Sequence, residues 1–539
     1  MSDSHSNHET YARVLLLGLG LLLVWVYTYR LGFLAPRWEE PRRCMVAFEM
    51  IVRGDYIVPT VYGELYTKKP PLQNWLIALL AGFDARRIDV ILPRLLTVIS
   101  VFATALVLVL LGIRRQQTWP WLGSAIFLTQ GIMIQYGRSG AIDPLFVLWT
   151  TAAFATFYAG YSQQRPWLTW CAPQLFVALG VLTKGLAPVF VYPSIAAFLA
   201  YERFRNRRQT ELQLIPILTG FVVCAIVAGV WLVPFTLSGS LDTLQETGAQ
   251  EVLSRSAIGR TWSDVIRGLL TFPIEVAVNL LPWSLPIVAL VHPAARRVVS
   301  ETFADDDLFR FAFFVFTWIC VCLWVMPGSL GRYVMPAYPF FAIGLACVLH
   351  RSRRHTIDTS RWVIALWIAL GLGFLGFAIR NALTKPDVRV ALPVVACVAA
   401  VLIAIRAHSH RAPPVASRAL LLTGFLYSSA FATIHAPARA AGERDHATHS
   451  RQMAEVLRQD AERRGLDPRT VPIGCSEGVS QAICFEFVKT LQRPLTRPTR
   501  HRGPSYAIGH VERSILPERR EVIAEGYGDE LWYRVAPSE

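Results

Sequence analysis

Runs of about twenty apolar residues recur along this chain and constrain its fold more than any other feature. Such a run is long enough to cross the hydrocarbon core of a bilayer as one helix. Hydrophobic residues make up 53% of the 539 residues and charged residues only 17%, whereas a soluble chain carries about 25% charged residues. The mean hydropathy is +0.39. These values predict an α-helical polytopic membrane protein and exclude a soluble, disordered, coiled-coil or disulfide-rich class.

The apolar runs predict about thirteen transmembrane helices. The first run covers Ala12–Tyr27 and is interpreted as a retained anchor, because no small-residue cleavage site follows it. The other predicted helices begin near Ile88, Trp119, Pro144, Leu168, Leu186, Leu214, Phe272, Leu308, Val334, Trp362, Val390 and Arg418.

The arginines set the predicted orientation of these helices. With the N-terminus in the cytoplasm, each connection on the inner side carries arginine, as the positive-inside rule requires. These arginines are Arg114, Arg115, Arg165, Arg203, Arg205, Arg207, Arg208, Arg296, Arg297, Arg351, Arg353, Arg354, Arg406 and Arg411. They account for much of the net charge of +15, so nucleic acid is not an expected partner. The prediction is a multi-pass protein of the cytoplasmic (inner) membrane, with residues 30–87 and 238–271 and the C-terminus on the periplasmic side.

The polar C-terminal segment predicts a second domain. We expect a transmembrane domain over residues 1–435 and a small α/β extracytoplasmic domain over residues 436–539. A helix is predicted around residues 442–465, and VPIGC, SYAIGHV and DELWYRVA predict strands. Cys475 and Cys484 in this segment either form a disulfide in an oxidising compartment or stay reduced, and sequence alone leaves both open.

The first long outer connection contains the most unusual polar residues, in WEEPRRCMVAFEMIVRGDYIVPTVYGELYTKKPPLQNWL. A helix starting at Glu39 places Glu39, Glu40 and Arg42 in its first turns. The acids then have two interpretations. They stabilise a helix N-terminus through its dipole, or they supply a base beside an anionic substrate.

Lysine is rare in this chain. It accounts for only five of the 53 basic residues, and Lys68, Lys69 and Lys184 lie at predicted outer membrane boundaries. A compact ammonium is a suitable partner for phosphate oxygens, whereas snorkelling at the interface is the alternative for any one of them.

Two later outer connections add further candidates. In RSGAIDP, Asp143 precedes Pro144 and is either a helix N-cap or a functional acid, with Arg138 as its candidate partner. In SLGRYVMPAYP, Arg332 and Tyr333 lie at the mouth of a span, where tyrosine is otherwise typical of the interfacial aromatic belt. Acids and cations gathered on one membrane side favour a lipid-linked, phosphate-bearing substrate.

These motifs together resemble those of bacterial GT-C membrane glycosyltransferases. WEEPRR, GDYIVP and YTKKPPLQNWL resemble the first outer loop of the lipid A aminoarabinose transferases and the related protein O-mannosyltransferases, and RSGAIDP, LTKGLAP and SLGRYVMPAYP resemble later landmarks in the same order. The resemblance implies a GT-C fold. It also implies inverting transfer of a sugar from a polyprenyl-phosphate donor to a glycolipid, polysaccharide or protein acceptor.

The resemblance also implies roles for particular residues. Its catalytic carboxylates correspond to Glu39, Glu40 and Asp143, with Glu39 as base or acceptor-orienting group. Its substrate-binding residues correspond to Arg42, Lys69, Arg138, Lys184, Arg332 and Tyr333. The sequence departs from the aminoarabinose transferases where Glu39 replaces aspartate, Arg43 replaces tyrosine and Lys68 replaces an acid.

The sequence leaves the cofactor open: no spacing of ligands requires a metal, and the three carboxylates would suit a divalent ion if they converged. Two other functions are compatible with the pattern. A flippase or transporter of lipid-linked sugars would use the same cations, but it predicts ionisable groups near the midplane and inverted repeats. A structural scaffold predicts that the polar residues are only caps and snorkelling groups.

Overall fold

The computed structural model describes a subset of the chain. The described residues are 20–29, 31–32, 39–114, 121–205, 213–240, 261–326, 328–352, 450–468, 470–475, 481–496, 505–510, 520–525 and 530–535, with scattered residues of 242–248. The spans predicted from Trp362, Val390 and Arg418 lie outside these residues.

The described part of the N-terminal 352 residues is mainly helical. Its helices are α1 (20–28), α2 (Glu40–Arg53), α3 (Leu72–Leu80), α4 (Ile91–Arg114), α5 (Leu122–Leu128), α6 (Gly131–Gly137), α7 (Asp143–Gln163), α8 (Ala172–Lys184), α9 (Val191–Arg205), α10 (Leu214–Phe235), α11 (Trp262–Asn279), α12 (Pro293–Asp305), α13 (Asp307–Trp324) and α14 (Tyr338–Ser352). A short hairpin of β1 (Thr60–Val61) and β2 (Glu64–Leu65) separates α2 from α3.

Four helical segments in the described part of the chain are long and apolar enough to cross a membrane. They are Ile91–Ile113, Leu214–Gly239, Asp307–Trp324 and Gly331–Ser352. The predicted total of thirteen spans stays a prediction. Two details of that prediction are wrong. The run predicted from Trp119 is divided into α5 and α6 around Thr129 and Gln130, and the helix expected to begin near Phe272 begins ten residues earlier, at Trp262.

Helix α2 is amphipathic and packs on α3, α4 and the hairpin. It begins at Glu40, one residue after the predicted start, with proline in its first turn, and it ends at Gly54 with a φ of 67°. Glycine adopts this left-handed conformation without steric cost. The apolar side of α2 buries Cys44, Met45 and Phe48, so the helix is fixed by packing as well as by its ends.

Aromatic side chains pack the core between α7, α9, α13 and α14. The ring of Phe311 contacts those of Phe154, Phe157, Phe198 and Phe340, with ring centroids between 5.1 and 6.1 Å apart. Such contacts contribute beyond the burial of their area. They hold these helices in a fixed arrangement beneath the polar residues at the helix ends.

The C-terminal residues form a four-stranded sheet of β3 (Ile473–Cys475), β4 (Ser505–His510), β5 (Arg520–Glu525) and β6 (Glu530–Val535), in the order β3-β4-β6-β5. Strands β3 and β4 are parallel, and the other pairs are antiparallel. The three predicted strand segments contain β3, β4 and β6, and the predicted helix contains α15 (450–463). Strand β5 and helix α16 (Gln481–Leu491) were not predicted. The division into domains stays a prediction.

A disulfide links Cys475 of β3 to Cys484 of α16, with the Cα atoms 6.3 Å apart. Helix α16 packs on α2, and their apolar side chains belong to one buried cluster that includes Cys44, Phe48 and Phe487. An ion pair between Lys489 Nζ and Asp89 Oδ2, at 2.6 Å, joins the same two parts of the chain. The C-terminal sheet is therefore packed directly against the first connection.

Candidate active site

Glu40 is the most deeply buried acid of the first connection. It is 2% exposed, and its two carboxylate oxygens accept hydrogen bonds from Arg94 Nε at 3.1 Å and Arg94 Nη2 at 2.6 Å. Arg94 also donates from Nη1 to the carbonyl of Leu31. A bidentate pair of this kind is both strong and directional. It fixes the start of α2 against the start of α4.

Gly140 brings the connection before α7 against the same carboxylate. Its backbone N–H donates to Glu40 Oε1 at 2.6 Å, and its carbonyl accepts from Gln73 Nε2 at 3.0 Å. A Cβ atom at position 140 would lie 2.7 Å from Pro93 Cβ and 3.1 Å from Glu40 Cγ. Only glycine therefore allows this close approach of α2, α3, α4 and the start of α7.

Glu39 lies in different surroundings, at the edge of the same helix. Its side chain is 42% exposed, and Oε2 accepts a hydrogen bond from Arg43 Nη2 at 2.8 Å. Burial on its own would raise the pKa of Glu39. The charge and hydrogen bond of Arg43, followed by the charges of Lys69 and Arg42, outweigh burial and lower this pKa to about 2. We call Glu39, Arg42, Arg43 and Lys69 the first-loop cluster.

The hairpin that leads to Lys69 is held by Glu49. The Glu49 carboxylate accepts hydrogen bonds from Thr60 Oγ1 at 2.6 Å and from the N–H of Gly63 at 3.2 Å. Burial raises the pKa of Glu49, although these hydrogen bonds oppose the shift. Because Glu49 lies on α2, it fixes the hairpin to the helix that begins with the first-loop cluster.

Asp143 and Lys184 form a second ionic group, at the start of α7 and the end of α8. Lys184 Nζ donates to Asp143 Oδ1 at 2.6 Å, and the two side chains are 9% and 11% exposed. The Lys184 ammonium lies 5.2 Å from the ring centroid of Tyr333, and the guanidinium of Arg332 lies 5.5 Å from that centroid. We call Asp143, Lys184, Arg332 and Tyr333 the span-end cluster.

The structure corrects two expectations about Asp143. Helix α7 begins at Asp143 itself, with Ile142 in the capping position and no side-chain cap, so Asp143 is not the N-cap. Its carboxylate pairs with Lys184, whereas Arg138, the expected partner, donates to the carbonyl of Tyr29. The segment from Arg138 to Asp143 links the span-end cluster to Glu40, because Gly140 contacts the Glu40 carboxylate.

Each of the three candidate carboxylates forms an ion pair with a different cation. The pairs are Glu39–Arg43, Glu40–Arg94 and Asp143–Lys184. They do not converge on one point as metal ligands would. Among the described residues, no group of three or more His, Cys, Asp or Glu side chains has an arrangement that would hold a metal ion.

Sequence reasoning missed several residues that build this arrangement. Arg94 is a charged residue within an apolar run, and that signal alone marks a residue as functional or structurally paired. Gly140, Gln73 and Glu49 gave no comparable signal, because their importance depends on partners distant in sequence. Arg43 was noted only as a departure from the family pattern, and the structure makes it the direct partner of Glu39.

The sequence of this chain is similar to those of a described protein family and of several bacterial proteins. Residues 68–232 match the family described as dolichyl-phosphate-mannose-protein mannosyltransferase. An uncharacterized protein of Aquifex aeolicus is 24% identical over 66% of this chain and 67% of its own length. An undecaprenyl phosphate-alpha-4-amino-4-deoxy-L-arabinose arabinosyl transferase of Sodalis glossinidius is 29% identical over 32% of this chain and 33% of its own length. A second one from that organism is 26% identical over 61% of this chain and 58% of its own length. The chain thus spans between a third and about three fifths of these two transferases.

The fold is also similar to that of a solved structure. The crystal structure of ArnT from Cupriavidus metallidurans bound to undecaprenyl phosphate superposes with a TM-score of 0.70 and 14% sequence identity, covering 98% of this chain and 100% of that one. The apo structure of the same protein superposes with a TM-score of 0.68. At this identity the likeness establishes the fold, an ArnT-like helical membrane architecture.

Proposed function

We propose a function for this chain, which belongs to the dolichyl-phosphate-mannose-protein mannosyltransferase family of GT-C membrane glycosyltransferases. The protein transfers a sugar from a polyprenyl-phosphate donor to an acceptor at the outer surface of the cytoplasmic membrane. The observation that carries the proposal is the first-loop cluster, in which one ionised carboxylate lies among three cations. The relatives named for undecaprenyl-phosphate arabinose transfer and the undecaprenyl phosphate in the similar structure support this donor class.

Lys69 and Arg42 of the cluster supply the binding site for the lipid phosphate, whereas Arg43 is buried beside Glu39. In the reaction, an acceptor oxygen attacks the anomeric carbon, the bond from that carbon to the phosphate oxygen breaks, and the phosphate leaves with the electron pair. Lys69 and Arg42 stabilise the charge that develops on the phosphate, which is the largest kind of contribution in such reactions. Lys184 and Arg332 of the span-end cluster supply further positive charge.

Glu39 receives the acceptor proton or orients the acceptor. A carboxylate with a pKa of about 2 is fully ionised near neutral pH, but it is a weak base. Phosphate bound to Lys69 and Arg42 offsets the charges that lower this pKa. Donor binding therefore raises the basicity of Glu39 at the moment when a base is needed.

Glu40 and Asp143 take supporting roles in this mechanism. Glu40 is sealed by Arg94 and positions α2, and Asp143 holds the Lys184 ammonium beside Tyr333. Arg138 holds the connection before α7 through the carbonyl of Tyr29.

The experiment compares the cell envelopes of a strain that lacks the gene and strains that carry wild-type protein, Glu39→Gln or Glu455→Gln. Mass spectrometry of glycolipid, polysaccharide and protein fractions identifies the acceptor as the fraction that loses one sugar mass in the deletion strain. Glu455 is an exposed acid that pairs with Arg458, so its variant is the matched control and restores the modification.

We expect Glu39→Gln to restore less than about 1% of the modification, since loss of a general base costs about 10²–10⁴ in rate. Full restoration by Glu39→Gln contradicts the proposed role of Glu39. Accumulation of lipid-linked sugar on the inner side, with no transfer product in any fraction, indicates the flippase instead.

A further inference from the structure

The guanidinium of Arg43 is buried with fewer hydrogen-bond acceptors than it has N–H donors. Its side chain is 0% exposed, and only Nη2 makes a hydrogen bond of regular geometry, to Glu39 at 2.8 Å. Nε and Nη1 have no hydrogen-bond partner among the residues that the structure describes. A buried guanidinium with unpaired N–H groups is costly. Because Glu39, which is bonded to Nη2, is partly exposed, a ligand that reaches Glu39 comes close to these donors.

Two neighbours of Arg43 also have buried polar atoms without a regular hydrogen bond. Tyr66 lies against the guanidinium, with its ring centroid 5.8 Å away, and its hydroxyl interacts with Arg43 through charge and a weak hydrogen bond that lies outside regular geometry. Asn74 Nδ2 donates to the carbonyl of Arg43 at 3.0 Å, whereas Asn74 Oδ1 is buried and unbonded within the described structure. Arg43 and two residues that contact it thus carry unused donors and an unused acceptor.

The charge of this place decides which ligands fit it. Arg42, Arg43 and Lys69 surround one carboxylate, so the cluster has an excess of positive charge. Bound lipid phosphate removes part of that excess, and the buried guanidinium of Arg43 stays positive. An ammonium group on the sugar that lay beside Arg43 would meet the like charge of the guanidinium and its N–H donors. Hydroxyl groups, which both donate and accept, and carboxylates, which accept, match the unused atoms.

We infer that Arg43, together with Tyr66 and Asn74, is a specificity-determining group that binds the oxygen atoms of the donor sugar, and that this sugar is neutral or acidic and not an amino sugar. The inference rests on the proposed function and names the substrate class of the same site.

The test measures binding, so that it does not depend on knowing the acceptor. Purified full-length protein in nanodiscs is titrated with undecaprenyl phosphate and with undecaprenyl phosphate linked to a neutral hexose, a hexuronic acid or a 4-amino pentose. We expect the neutral or the acidic donor to bind at least about tenfold more tightly than the amino donor, the size of one charge-assisted hydrogen bond. In Arg43→Met this preference disappears, and the affinity for undecaprenyl phosphate changes less than about twofold.

Arg94→Met is the matched control for stability. Arg94 is equally buried but fully paired with Glu40, so its loss strands a buried carboxylate and lowers the melting temperature of the ligand-free protein. Arg43→Met strands no buried charge, and we expect it to melt at or above the wild-type temperature. Arg43→Lys keeps the charge but not the planar set of donors, and we expect it to bind the neutral donor more weakly than wild type.

The outcomes separate the two proposals. If wild type does not bind undecaprenyl phosphate, the proposed function fails and this inference fails with it. If wild type binds undecaprenyl phosphate but prefers the amino donor, or if Arg43→Met keeps the wild-type preference, only the specificity assignment is overturned. A lower melting temperature of Arg43→Met shows that Arg43 is structural and also overturns the assignment.

Discussion

Glu39 and Glu40 are neighbours in the chain, and the structure gives them opposite surroundings. Glu40 is 2% exposed and bound on both oxygens by Arg94, with a further hydrogen bond from Gly140. Glu39 is 42% exposed, has one hydrogen bond and lies among several cations. The sealed carboxylate holds three segments of chain together, whereas the open one stays accessible to a ligand. The comparison separates a residue that builds the site from one that uses it.

The largest expected loss of stability follows from breaking the buried ion pair between Glu40 and Arg94. Glu40→Gln leaves Arg94 buried at 1% exposure without its counter-charge. Loss of one partner of a buried ion pair costs about 3–5 kcal/mol, so the protein should lose yield and show a strongly lowered melting temperature in detergent. The double variant Glu40→Gln with Arg94→Met should recover part of the loss, because no charge is then left unpaired. A wild-type melting temperature for Glu40→Gln would show that the pair does not hold α2.

A smaller effect is expected at the backbone that contacts this pair. Gly140→Ala places a Cβ atom 2.7 Å from Pro93 Cβ, and crowding of this kind costs about 1–3 kcal/mol. The matched control is Gly344→Ala in α14, where the nearest atoms lie 3.7 Å from the added Cβ and little change is expected. Thermal denaturation of both variants checks the prediction, which fails if the two alanines behave alike.

The open carboxylate is best tested through pH. The pKa of Glu39 is lowered to about 2, so the stability that its ion pair contributes is present above the ordinary carboxyl pKa and is lost only as the pH falls towards 2. In Arg43→Met the largest of the lowering charges is gone, and the pKa of Glu39 rises. The acidic limb of kcat/KM, which reports the free enzyme, should therefore move to higher pH by less than about two units. An unchanged acidic limb would show that another group controls it.

The smallest effect concerns the stability role of Glu39 itself. Its ion pair with Arg43 is partly exposed, and pairs of this kind contribute at most about 1 kcal/mol. Glu39→Gln should therefore melt close to wild type, in contrast to Glu40→Gln. If the two glutamine variants lose equal stability, the distinction between the sealed and the open carboxylate is wrong.

Much of this arrangement was predictable from the sequence, but the partner of Asp143 and the pairing of Cys475 with Cys484 were not. The motif order led to Glu39, Glu40, Asp143, Lys69 and Lys184, and the structure places them at the starts of α2 and α7, before α3 and at the end of α8. The partner of Asp143 was predicted wrongly because Arg138 is near it in sequence, whereas Lys184, 41 residues away, is near it in space. Cys475 and Cys484 were left open because their separation depends on how β3 and α16 pack.

The sequence by itself determined that the chain is a helical membrane protein, because the length and apolarity of its runs leave no water-soluble alternative, and it determined which motifs carry acids and cations. Only the tertiary structure decided the role of each charge. Successive helical residues point about 100° apart, so Glu39 and Glu40 necessarily face different neighbours. Glu39 faces Arg43, four residues away, whereas the neighbours of Glu40 are Arg94, 54 residues away, and Gly140, 100 residues away. Burial and pairing therefore arise from packing that no local pattern encodes.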